Sequence, residues 1–185
     1  MSARKGEYTL NDQLESAKAL FMEYCGSLPD MHRSGRYAEY KTYGVDIVTE
    51  KLWFKEMAEQ LSGELSIRDW EAVSSLSLVS KHYQESRIVE NVVSFAARNM
   101  MSADSVVRLM FAEHLLDIIR LHKKEISQEL LLRACKTAAE LLEAIIAQPL
   151  IVDPGHELAQ LKLKDKRGLN QRAKQNMDSI EEIMN

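Results

Sequence analysis

This sequence has few residues that break helices and few that form covalent cross-links. Its 185 residues include three prolines, seven glycines and two cysteines. Such a shortage of proline and glycine favours helices over turn-rich architectures. Cys25 and Cys135 are too few and too far apart for a disulfide framework or a metal knuckle, so we predict that both are small core residues. A chain of this length can bury a core without cross-links.

Long hydrophobic runs and cofactor motifs are also missing. No stretch approaches the roughly 20 apolar residues that cross a bilayer, and the first residues lack the apolar run of a signal peptide. The sequence therefore predicts a cytoplasmic protein with no membrane partner. It contains no glycine-rich phosphate loop, no Gly-x-Ser-x-Gly elbow and no Cys-x-x-Cys pair, so we predict no cofactor.

The charge is unevenly distributed along the chain. The formal net charge is −4, and residues 45–155 carry 17 acids against 12 bases. Residues 1–44 balance six against six, whereas residues 156–185 carry five acids and six bases. This pattern argues against a dedicated nucleic-acid coat, and a polyanion would have to meet the two ends.

Apolar periodicity predicts an all-α protein with about six helices, at approximately 11–25, 46–63, 66–83, 86–100, 106–124 and 130–147. Asp46, Ser102 and Ser127 are placed to cap helix starts, and Ser66 with Asp69 resembles a capping box. The last two helices are so apolar that we expect them to lie mostly inside. Short connections and the lack of a repeat predict an antiparallel bundle.

The last thirty residues differ from the rest. Pro149, Pro154 and Gly155 interrupt the chain, and residues 156–185 suggest two weaker helices divided by Gly168. Their apolar residues are widely spaced, so we predict one domain in residues 1–155 and a peripheral, charged helical tail in residues 156–185. The cations that could bind a protein partner there are Lys162, Lys164, Lys166, Arg167, Arg172 and Lys174.

Two other segments have features of nucleic-acid binding. The connector at residues 30–44 is rich in bases and tyrosines, which can meet phosphates and stack on bases. Its candidates are Arg33, Arg36, Tyr37, Tyr40 and Lys41. Residues 78–98 can form a helix-turn-helix with its turn at residues 84–85. The exposed side chains of its second helix would be Arg87, Asn91 and Arg98.

Metal ligation is not predicted. A diiron bundle needs glutamates three residues ahead of histidines on facing helices, and none of the five histidines has a glutamate three or four residues before it. Asp153 does precede His156 by three residues, but the intervening proline and glycine favour a turn over a helix. The reversed spacing occurs at His82, His114 and His122. The first and last of these pairs straddle predicted helix ends, where ordinary surface pairs are expected.

Arg108 lies within an apolar arc of the fifth helix. An arginine there needs a partner or a route to solvent, so we predict that it extends to water or pairs with an acid of another helix. Arg108 and His114 also have the spacing of an arginine–histidine pair, which resembles HEPN ribonucleases, a family of small helical bundles. The resemblance covers these two residues and the fold class. It implies that Arg108 binds the scissile phosphate and His114 serves proton transfer at a dimer interface.

These observations favour a non-enzymatic helical interaction or regulatory module, either a homodimer or a subunit of an assembly. Its partner would be another protein or a second copy of the chain. The alternatives are a nucleic-acid-binding regulator, using residues 78–98 or the basic segments 33–43 and 162–174, and a HEPN-like ribonuclease.

Overall fold

The structure, a computed structural model, describes residues 10–185, which form nine α-helices and no strand. The helices are α1 Leu10–Glu23, α2 Leu28–Arg33, α3 Tyr37–Thr42, α4 Ile47–Gly63, α5 Glu71–Val79, α6 Ser86–Asn99, α7 Ser105–His122, α8 Gln128–Ala147 and α9 Lys166–Met184. Single 3-10 turns form at Met100–Ser102 and Leu158–Leu161. The predicted all-α class is confirmed.

The chain divides into two compact units, one ending at Ala58 and the other running from Glu59 to Asn185. This division falls within α4, whereas the sequence predicted a division after residue 155. Within the second unit, α7 packs against α5, α6 and α8, and α9 packs against α8 and α7.

An aromatic cluster forms the core of the first unit. The ring of Phe21 lies 5.5 Å from that of Trp53 and 4.8 Å from that of Phe54, between centroids. Gly26, with φ of 72°, passes so close to this cluster that an added Cβ would lie 2.1 Å from a ring carbon of Phe54. This position therefore requires glycine, both for its backbone conformation and for space.

The connector and the tail differ from the sequence prediction. Residues 30–44 were predicted as a connector without helices, but Pro29 lies in the first turn of α2, where a missing N–H costs nothing. The connector thus holds the two short helices α2 and α3. Gly168 does not divide the tail, because it lies in the first turn of α9 and donates its N–H to the capping Asp165 at 2.8 Å. The tail has one long helix after a 3-10 turn.

Helix starts agree only partly with the predicted caps. Asp46 and Ser127 accept from backbone N–H groups at the starts of α4 and α8, as expected. Ser66 and Asp69 instead accept from residues two positions ahead, and α5 begins only at Glu71. These short-range bonds form a turn, which is why the helix predicted from residue 66 starts later.

Asp104, not Ser102, caps α7, and it also holds the segment after α8. One carboxylate oxygen accepts from the N–H of Val107 at 2.8 Å, and the other accepts from the N–H of Asp153 at 2.9 Å. The second oxygen lies 2.7 Å from Nδ1 of His156. Burial opposes ionisation of Asp104, but these hydrogen bonds outweigh it and lower the pKa of the carboxyl.

The core of the second unit permits a direct stability test. Leu142 of α8 is fully buried, whereas Leu132 of the same helix is 49% exposed. Leu142→Ala is expected to lower the free energy of unfolding by about 2–5 kcal/mol, because it leaves a cavity. Leu132→Ala is the matched control and should change it by less than about 1 kcal/mol. Equal losses in chemical denaturation would contradict the central position of Leu142. The fully buried Leu116 of α7 is expected to behave like Leu142.

Candidate interaction surface

Helix α6 has one buried and one outward face. Its buried side chains are Ile88, Val89, Val92, Val93 and Ala96. Arg87, Asn91, Ser94 and Arg98 recur at steps of three and four residues and therefore follow one another along its other side. Three recesses lie along α6, and the residues of the outward face line two of them.

The first groove lies between α6 and α8 and has a volume of about 340 Å³. Its lining is mainly small or apolar and consists of Ala96, Ala97, Met101, Thr137, Leu141, Ala144, Ala147 and the polar Gln148. The exposed carboxylates of Glu140 and Glu143 line it as well. We call it the α6–α8 groove.

The small side chains of α8 create this groove. Thr137, Leu141, Ala144 and Gln148 are three or four residues apart, so they form one strip about three turns long. Thr137, Leu141 and Ala144 are almost fully buried and form the floor of the groove, whereas Ala97, Met101 and Ala147 are exposed beside it. Small side chains at a helix contact allow a close approach of the neighbouring helix. Glu143 has no ion pair with another described residue, and Glu140 has a distant one, 3.8 Å from Nζ of Lys136.

The second groove lies between residues 59–63 of α4 and helix α6 and has a volume of about 440 Å³. We call it the arginine groove. It contains Arg87, Asn91 and Arg98, the three side chains predicted as a recognition face. Both guanidinium groups are exposed, and neither pairs with an acid within residues 10–185.

The surroundings of α6 differ from those of a recognition helix. Helix α5 ends at Val79, so six residues separate it from α6 where a two-residue turn was predicted. On its α8 side, the outward face borders a recess of about 450 Å³ lined by Glu90, Glu129 and Arg133. A recognition helix enters the major groove with a protruding face. The polar residues of α6 instead line grooves between helices.

In the connector, the predicted nucleic-acid ligands mostly contact one another or nearby acids. Arg33 pairs with Asp30 at 2.5 Å and Arg36 with Glu39 at 2.8 Å. Tyr40 is buried and donates its hydroxyl to Glu50 at 2.8 Å. The remaining candidates contact each other, because Nζ of Lys41 lies 5.5 Å from the ring centre of Tyr37.

Two of the six tail cations bind within the fold. Arg172 forms a two-point ion pair with Glu113 of α7, with both N–O distances 2.6 Å. Lys166 donates to the carbonyl of Ile145 near the end of α8. The other four, Lys162, Lys164, Arg167 and Lys174, are exposed.

Arg108 neither reaches solvent nor bonds to an acid, contrary to the prediction. It is 4% exposed. Its guanidinium donates to the carbonyls of Met100, Met101 and Ala103 and to the side chain of Gln148, at 2.8–3.3 Å. Burial lowers its pKa, and the charge of Asp104 opposes this shift. Four of the five guanidinium N–H groups are engaged in the fold.

His114 has different neighbours from Arg108. It lines a hollow of about 330 Å³ between α5 and α7, beside Ser77, Lys81 and Asp117. Its Nδ1 is buried without a hydrogen-bond partner among residues 10–185, and desolvation lowers its pKa despite nearby carboxylates. None of the groups that bind Arg108 lines this hollow, so the structure does not bring the two residues into one site.

His122 offers a test of pH dependence. It is fully buried, and its Nδ1 must donate to the carbonyl of Ile118 at 2.9 Å, because a carbonyl only accepts. Burial lowers its pKa below the ordinary value of 6.5, so the unfolded chain takes up this proton at higher pH than the folded one. Stability should therefore fall as pH drops below about 6.5.

Thermal melts at pH 7.5 and pH 5 test this expectation. Between pH 7.5 and pH 5, the melting temperature of the wild-type protein should fall further than that of His122→Leu. The matched control is His32→Leu at an exposed position, which should leave the wild-type difference unchanged. The same loss in all three proteins would show that other groups cause the acid sensitivity.

The sequence prediction missed the α6–α8 groove. Small and large apolar residues give the same periodicity, so the helical pattern alone does not distinguish a groove from a packed core. The available signal was size, since Ala96 and Ala97 on α6 face Ala144 and Ala147 on α8. A pairing of helices is needed to see that these small residues meet.

No protein-family model, curated protein or solved structure matches this chain. None of the helices within residues 10–185 is both long and apolar enough to cross a membrane.

Proposed function

We propose that this protein is a non-enzymatic interaction module that binds an amphipathic helix of a partner protein in the α6–α8 groove. The observation that carries the proposal is an apolar, alanine-lined groove about three helical turns long, with two exposed glutamates beside it. Helix-in-groove recognition uses an apolar strip on the ligand, spaced three and four residues apart.

The charges favour a basic partner. Glu140 and Glu143 line the groove, and Glu90 and Glu129 lie further along the same helix pair. Lys136 and Arg133 offset them only partly. A second copy of the chain would bring a net charge of −4 to this acidic surface. Lysines or arginines flanking an apolar strip would complement it and speed association.

A pair of designed peptides tests the proposal. One is a helical peptide of about four turns with leucines at i, i+3, i+4 and i+7 and lysines on both flanks, and the other has glutamates in place of the lysines. In fluorescence anisotropy, the lysine peptide should bind the wild-type protein, and the glutamate peptide should bind much more weakly.

Groove variants then locate the binding. Ala147→Trp fills the groove and should lower the affinity for the lysine peptide by about tenfold or more. Ala139→Trp, a half-buried alanine of α8 outside the groove lining, is the size control. Circular dichroism should show both variants folded. Unchanged peptide binding by folded Ala147→Trp would overturn the proposal. A dimer in sedimentation that Ala147→Trp dissociates would replace the partner helix with a second copy.

A further inference from the structure

We infer that the arginine groove binds a phosphate-bearing nucleotide, either free or as a unit of a single-stranded nucleic acid. This site is separate from the α6–α8 groove, because neither Arg87 nor Arg98 lines the latter. Failure of one proposal therefore leaves the other standing.

The two arginines supply the phosphate contact. Guanidinium groups bind phosphate oxygens through parallel N–H donors, and both groups are free of acid partners within residues 10–185. They are eleven positions apart on α6, which corresponds to about 16 Å along the helix. Their long side chains can converge on one phosphate group or contact successive phosphates of a strand.

The rest of the groove favours a nucleotide over a simple anion. Phe95 lines it and is half-buried, with its ring packed on Phe111 at 5.8 Å between centroids. Part of an aromatic ring is thus presented beside the phosphate-binding groups, as in sites where bases stack.

Further polar side chains line the groove, among them Glu59, Ser62 and Asn91. The carboxylate of Glu59 would repel a bare phosphate, but it can accept hydrogen bonds from ribose hydroxyls or base amino groups. Asn91 offers an amide of the kind that pairs with base edges. The Oγ of Ser62 is buried without a hydrogen-bond partner in the described chain and also lines the groove. Cationic, aromatic and hydrogen-bonding groups therefore meet in one cavity of about 440 Å³, within the size range of ligand sites.

The test uses the full chain and three nucleic-acid probes. A fluorescein-labelled single-stranded RNA of about 12 nucleotides and a duplex of the same length are titrated by anisotropy, and nucleoside monophosphates by calorimetry. We expect binding of the single strand, of the monophosphates or of both. The anisotropy titration detects binding of a strand, and the calorimetric titration detects binding of a free nucleotide. Preference for the duplex, or no binding by any probe, would overturn it.

Variants distinguish this groove from general charge attraction. Arg87→Gln with Arg98→Gln should weaken binding by about tenfold or more, whereas Arg120→Gln with Arg167→Gln removes the same charge elsewhere and should weaken it less than about twofold. Phe95→Leu keeps apolar bulk but removes the ring, and it should weaken nucleotide binding while leaving competition by inorganic polyphosphate unchanged. Equal losses in the two arginine pairs, or no effect of Phe95→Leu in a folded protein, would refute a nucleotide site.

Discussion

Leu169→Asp is expected to lower the melting temperature by about 10 °C, since a change of 1 kcal/mol shifts a chain of this size by about 2–4 °C. Leu169 lies in the first turns of α9 and is fully buried. The substitution removes about 1.5–3 kcal/mol of apolar burial and places a carboxylate where water is excluded. Helix α9 must then separate from its neighbours, or the new carboxylate must take up a proton and remain buried.

The matched control for this substitution is Gln171→Asp, two positions further along the same helix. Gln171 is exposed, so the same new charge should change the melting temperature by less than about 2 °C. Similar small shifts in both variants would mean that α9 contributes little to stability and that residues 156–185 form an appendage, as their sequence predicts.

Deletion after Asp153 extends the same comparison. It removes the buried Leu169, Ala173 and Ile183 together with the ion pair between Arg172 and Glu113. The surfaces of α7 and α8 that contact α9 would then meet water. We expect a broad or lost unfolding transition in calorimetry. A truncated protein that melts as cooperatively as the full chain would support the division at residue 155.

The sequence predicted helix type and most helix positions, because apolar periodicity is a local property. α6, α7 and α8 agree with it to within a few residues at each end. The packing of α9 was not predictable in the same way. In sequence, a helix with few apolar residues resembles a solvated tail. Whether such a helix is buried depends on the helices that pack against it. The ion pair that joins α9 to α7 links residues 59 positions apart.

The candidate sites were also predictable only where their residues are close in sequence. Arg87, Asn91 and Arg98 could be grouped from the sequence because they share one helix face. Glu59 and Ser62, which complete the arginine groove, come from α4 and carry no local pattern. Conversely, the spacing of Arg108 and His114 on α7 suggested a pair that the fold does not assemble, because each side chain faces different neighbouring segments.

Arg108→Met is expected to lower the free energy of unfolding by about 3–5 kcal/mol, corresponding to about 10 °C in melting temperature. The guanidinium donates to the carbonyls of Met100, Met101 and Ala103. Methionine removes this donor from the carbonyls of Met101 and Ala103, whereas the carbonyl of Met100 keeps the N–H of Ala103. Each buried group that loses its partner costs roughly 1–3 kcal/mol. The side chain also bonds to Gln148 at the end of α8, so the link between these segments would be lost.

Two further variants separate this role from charge alone. Arg133→Met removes an exposed arginine of α8 and should change the free energy of unfolding by less than about 1 kcal/mol. Arg108→Lys keeps the charge but replaces the planar five-donor group with a compact ammonium, which cannot reach acceptors in several directions at once. It should therefore lose most of the stability that Arg108→Met loses. If chemical denaturation shows Arg108→Lys to be as stable as the wild type, the stabilising feature is the positive charge. If Arg108→Met is also as stable as the wild type, the side chain reaches solvent, as the sequence predicts.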